Sequence, residues 1–207
     1  VEGDIIVPRT GRSQGHAPIL VGRMRMSSEP SNNVLIQQLQ LLLTGYGYNF
    51  YNKANQARSD DMLVRERASY NLAQSVSLLA QLRSDYSIRF IPPLTRANPD
   101  PPAEAMAQVR EIEAVQQAVS QVESHIRGMS VPTQDKIWSR FRQEQALLGQ
   151  LLEFDLRLVR SSEQTYQYVA QLTADNWNSV GSGPLRSMMQ QLGRLAQERE
   201  RFLLVQL

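Results

Sequence analysis

An all-α fold is predicted for this chain: a bundle of four to five helices, with long antiparallel members and an extended N-terminal arm. Two observations carry that prediction. First, apolar residues recur alternately three and four positions apart through most of the chain, the spacing that returns a side chain to one face of an α-helix. The longest such seam runs Phe50, Ala54, Ala57, Asp61, Val64, Ala68, Leu72, Ser75, Leu79, Leu82, Tyr86. Second, glycine and proline gather in short stretches that punctuate these seams instead of scattering through them. The chain divides accordingly into an arm or small β-hairpin, residues 1–30, and a helical domain, residues 31–207, with a proline-rich connection at 88–102.

The arm holds Gly3, Pro8, Gly11, Gly15, Pro18, Gly22 and Pro30, which stop a helix from propagating. Its two β-prone runs, residues 4–7 and 19–21, flank a polar loop, so either a hairpin or an extended tether is expected. Helix starts at Ser31 or Asn32, both good caps, and carries Leu35, Leu39, Leu42 and Leu43 to about Gly45. The aromatic cluster Tyr46, Tyr48, Phe50 and Tyr51 follows. A second helix spans about Tyr48 to Ser87, with a break at Arg58-Ser59-Asp60 as the alternative. Pro92, Pro93, Pro99, Pro101 and Pro102 then impose an extended connection, which Phe90, Ile91 and Leu94 would anchor.

The third helix, after Pro102, presents Val109, Ile112, Val115, Val119, Val122 and Ile126 and ends near Gly128. A fourth runs from about Pro132 or Thr133 to Asn176. Its apolar arc is broad, one stripe being Phe141, Leu148, Leu152, Val159 and Tyr166 and another Leu147, Leu151, Phe154, Leu158 and Val169. An arc that wide serves more than one partner, which places this helix centrally or at a subunit interface. The last helix follows Gly181-Ser182-Gly183 with Pro184 in its first turn, an accepted position for proline.

Composition narrows the function. Net charge is only +2 and hydrophobic content 42%, in keeping with a folded chain and without the basic run that marks a dedicated nucleic-acid binder. Arginine supplies the basic residues almost alone, Lys53 and Lys136 being the exceptions, which suits bidentate pairing to carboxylate or phosphate. There is no cysteine, so thiol and disulfide chemistry is excluded and the redox compartment stays undetermined. No apolar run approaches the ~18 residues a membrane span needs. His16 and His125 sit in no metal-ligand spacing, and no phosphate-cradling loop opens a helix, so neither cofactor nor metal is expected.

The remaining candidates concern contacts. Arg9, Arg12, Arg23 and Arg25 lie in an arm stretch with no acidic residue and suit either a protein partner or phosphates. The cluster Tyr46, Tyr48, Phe50 and Tyr51 suits a bundle end or base stacking. Glu144 and Asp155 fall inside the apolar arc of the fourth helix, where a carboxylate needs a partner; arginines at 65, 67, 110 or 199 are candidates. They are expected as buried ion-pair positions that fix helix register. The chain is thus expected to be a non-enzymatic structural or assembly subunit of a larger homo- or hetero-oligomer. The alternative is a nucleic-acid-associated coat or packaging protein using dispersed arginines.

Overall fold

A computed structural model describes residues 32–43, 57–96 and 99–205. Seven helices make up the described residues: α1 (Asn32–Leu43), α2 (Ala57–Phe90), α3 (Ala103–Gly128), α4 (Asp135–Gln143), α5 (Gln145–Ala170), α6 (Trp177–Val180) and α7 (Gly183–Val205). The fold is all-α. The arm, the aromatic cluster 46–51 and the expected beginning of the second helix lie outside the described residues.

The seam read from the sequence is the buried face of α2. Ala57, Asp61, Val64, Ala68, Leu72, Ser75, Leu79, Leu82 and Tyr86 are all buried, and no break occurs at residues 58–60. This helix packs on α3 and α5, while α7 packs on the same two helices and α1 lies against α5. Hydrogen bonds and ion pairs give the directions. Arg65 reaches the Arg127 and Met129 carbonyls while Arg83 faces Glu113, so α2 and α3 run antiparallel. Asn71 meets Ser162, whereas Tyr86, further along α2, meets Asn178 beyond the end of α5, so α2 and α5 run parallel.

Two expectations are corrected. The single helix expected from about residue 132 to 176 is instead α4 and α5, followed by non-helical residues 171–176 before the short α6. The first break falls at Glu144, whose backbone is extended (φ −98°, ψ 96°) although its N–H still donates to the Arg140 carbonyl. No helix breaker occurs there; Gln143, Glu144 and Gln145 all favour helix, so packing has overridden propensity. The break lets α4 fold against α5 and place Ile137, Trp138 and Phe141 in a basal core. Trp138 is pinned there by its Nε1–H, which donates to the Pro132 carbonyl at 2.9 Å. The second correction concerns the connection. Phe90 and Ile91 pack on the core, with Phe90 against Tyr86 (ring centroids 4.5 Å apart), but Leu94 is exposed and anchors nothing among the described residues.

The apolar interior forms two clusters stacked along the helices. The larger is built by α2, α3, α5, α6 and α7, with Val64, Leu158 and Ala196 at its lower edge. The smaller, at the base, gathers Leu35 and Leu39 of α1, Ala57, the α4 residues, Leu148 to Leu156 of α5, and Leu203. The broad arc of α5 is explained by this arrangement, since α1, α2, α4 and α7 all pack on it.

Candidate functional site

Between the two clusters lies a layer of buried charge. Asp61 stands between Ala57 and Val64 on α2, Asp155 between Leu152 and Leu158 on α5, and Arg199 between Ala196 and Leu203 on α7. One guanidinium serves both carboxylates. Arg199 donates from Nη2 to Asp61 Oδ1 and from Nε to Asp155 Oδ1, each at 2.6 Å. Its side chain is 1% exposed, and those of the two aspartates no more. Distances this short are those of charge-assisted hydrogen bonds, roughly twice as strong as neutral ones.

A second arginine completes the layer on the outer side. Arg65 Nε lies 3.0 Å from Asp61 Oδ2, one helical turn away, while Nη1 donates to the Met129 carbonyl at 2.8 Å. Beyond it Arg127 donates to Ser69 Oγ (3.2 Å from Nη2) and pairs with Glu123, and the Ser69 hydroxyl donates to the same carboxylate. About two turns along α5 from Asp155, Asn71 Nδ2 donates to Ser162 Oγ at 3.1 Å across the α2–α5 contact. The chemistry available to this layer is mechanical. Asp61 and Asp155 are bridged by one permanently charged guanidinium, which ties α2, α5 and α7 together. Sliding any of the three helices by a turn would strand a buried charge, a heavy penalty that specifies register.

Asp155 is fully buried, and its partner Arg199 is one of the four arginines named for it. Glu144 is on the surface, not in the apolar arc, because the helix breaks at that residue. It pairs with Arg140 at 2.8 Å within one turn, both side chains about half exposed (49% each). Such pairs contribute little. Glu144→Ala is expected to change unfolding free energy by less than about 0.5 kcal/mol in a urea titration, and a loss several times larger would refute a simple surface pair. Arg9, Arg12, Arg23, Arg25, Tyr46, Tyr48, Phe50 and Tyr51 lie outside the described residues.

The surface adds a feature the sequence reading passed over. Met62 and Tyr70, two turns apart on α2 and 60% and 55% exposed, line a shallow groove of about 570 Å³ with Ala73, Glu66, Ser69 and the stems of Arg65 and Arg127. Arg67 extends over the Tyr70 ring, its guanidinium carbon 5.9 Å from the centroid. The available signal was that Met62 and Tyr70 stand off the apolar seam, where a helix covered only on its inner side carries polar residues. Among the described residues no helix is long and apolar enough to cross a membrane. Comparison with protein-family models, with curated proteins and with solved structures found no match.

Proposed function

We propose that this chain is a non-enzymatic assembly subunit, its four to five principal helices forming a rigid bundle and its outer α2 face seating a second copy of the chain. The observation that carries this reading is the pairing of Met62 and Tyr70 in one apolar groove on the outer side of α2. Lone exposed hydrophobics are ordinary, but neighbours that share a concave, mainly apolar surface rimmed by charge mark contact sites. The buried charge layer supports the same reading from the other side. It specifies helix register, and a body with one register presents its outer face in one geometry. The arm, with Arg9, Arg12, Arg23 and Arg25, would add contacts to the neighbouring subunit.

Light scattering at micromolar concentration tests this. Wild-type protein is expected to run as a dimer or larger species, and Met62→Glu with Tyr70→Glu to run as a monomer with unchanged helicity. Interface centres are dominated by a few large side chains, so two buried carboxylates there suffice to break the contact. A wild-type monomer at every concentration, or an oligomer indifferent to both substitutions, removes the reading.

A further inference from the structure

The groove between α5 and α7, on the side away from α2, gathers arginine without matching carboxylate. Arg157 and Arg160 lie one turn apart on α5, Arg194 faces them from α7, and Glu198 is the single acidic residue in the lining. Arg157 and Arg194 are exposed and have no ion pair within 4.0 Å among the described residues. Arg160 donates from Nη2 to Gln38 Oε1 of α1 at 2.9 Å, a neutral partner that orients the guanidinium without cancelling its charge. Ser161, Gln164 and Gln191 add uncharged donors along the same walls, and Leu195 lies among them. This is the donor set that phosphate oxygens take: guanidinium forks reinforced by amide and hydroxyl groups.

The groove continues into a second hollow, and Arg157 lines both. There the walls are Gln150, Glu153 and two half-buried rings, Phe154 and Phe202, with centroids 5.5 Å apart. From Gln150 to Gln164 the two hollows extend about 21 Å along α5. A basic channel that leads to partly exposed aromatic rings is how proteins hold single-stranded nucleic acid without reading sequence: charge follows the backbone and rings stack on bases. A duplex is too wide to enter a furrow between helices packed about 8–10 Å apart, and a lipid surface offers nothing for the recessed rings to stack on.

We propose that the α5–α7 groove binds single-stranded nucleic acid, with Arg157, Arg160 and Arg194 on consecutive phosphates and Phe154 with Phe202 receiving a base. The site is separate from the α2 face, so assembly and strand binding stand or fall independently.

Fluorescence anisotropy with a labelled oligothymidylate of about twelve nucleotides tests the assignment at about 20 mM salt and upward. Binding is expected to weaken linearly in the logarithm of salt concentration. Arg157→Gln/Arg160→Gln/Arg194→Gln should weaken it at least about tenfold and lower the salt slope by about 2, at roughly 0.7 per phosphate on a single strand. Arg89→Gln/Arg96→Gln/Arg110→Gln removes equal charge elsewhere and should cost less than about threefold. An abasic strand of equal length should bind at least about fivefold more weakly, the loss of one stacked base. Circular dichroism should show both variants folded, since none of these side chains is buried. The proposal is overturned by no binding at low salt, by equal losses in the two arginine variants, by equal affinity for the abasic strand, or by binding to phosphatidylserine vesicles in place of the oligonucleotide.

Discussion

Arg199→Met is expected to cost about 3–5 kcal/mol of folding free energy, because it removes the cation that serves two buried carboxylates at once. For a chain of ordinary stability, about 5–15 kcal/mol, that is a third or more of the total. Urea titration followed by circular dichroism should show a large fall in midpoint with the slope retained, the signature of lost stability without a changed denatured state. The converse substitution separates pairing from packing. Replacing Arg199 by methionine together with Asp155→Leu removes one cation and one carboxylate, and Asp61 keeps Arg65, whose Nε lies 3.0 Å from its Oδ2. This double variant is expected within about 2 kcal/mol of wild type, since apolar replacements of buried ion pairs are often neutral. A cost below about 1 kcal/mol for the single variant would mean that water already reaches the layer and that the aspartates are not dry.

The double variant also bears on assembly. If the charge layer specifies register, its apolar replacement should fold but hold its helices less uniquely, and the α2 face would lose the fixed geometry a neighbour needs. Light scattering on that variant is expected to show weaker self-association even though Met62 and Tyr70 are untouched. Stability and specificity are thereby read in one protein by two measurements.

The sequence was most legible where one periodicity dominated. The seam of α2 is regular enough that spacing alone puts its polar members, Asp61 and Ser75, on the buried face. The same regularity on α5 placed Asp155 inside, and burial of a lone carboxylate demanded an arginine. Which arginine depended on tertiary packing, because four stood on other helices and only the arrangement of α5 against α7 selects Arg199. Glu144 shows where periodicity fails. A break between two glutamines has no local signal, and its cause is the basal core that draws Trp138 and Phe141 inward. The arginine groove was equally hidden, since Arg157 and Arg194 are 37 residues apart and became neighbours only through helix pairing.

The two tryptophans provide the strongest test of how the stacked cores cooperate. Each core holds one: Trp138 at the base, 1% exposed, and Trp177 in the upper cluster, fully buried. Each indole N–H is satisfied, that of Trp177 by Gln108 Oε1 at 2.9 Å. Truncating either to alanine opens a large cavity and is expected to cost about 3–5 kcal/mol. Phenylalanine substitutions are gentler, and each leaves one fluorescent reporter. With Trp138→Phe the emission follows the upper core, and with Trp177→Phe it follows the base. Because α2, α5 and α7 run unbroken through the charge layer, opening one core pulls the ends of the same helices out of the other. Each variant's fluorescence transition in urea is therefore expected to coincide with its own circular dichroism transition, the criterion for all-or-none unfolding. A basal emission change that precedes the loss of helicity would mean that the layer of Asp61, Asp155 and Arg199 divides the molecule into two cooperative units. Arg199→Met, placed in each single-tryptophan background, then decides what joins them: the midpoints should fall together if the helices carry the coupling and separate if the guanidinium does.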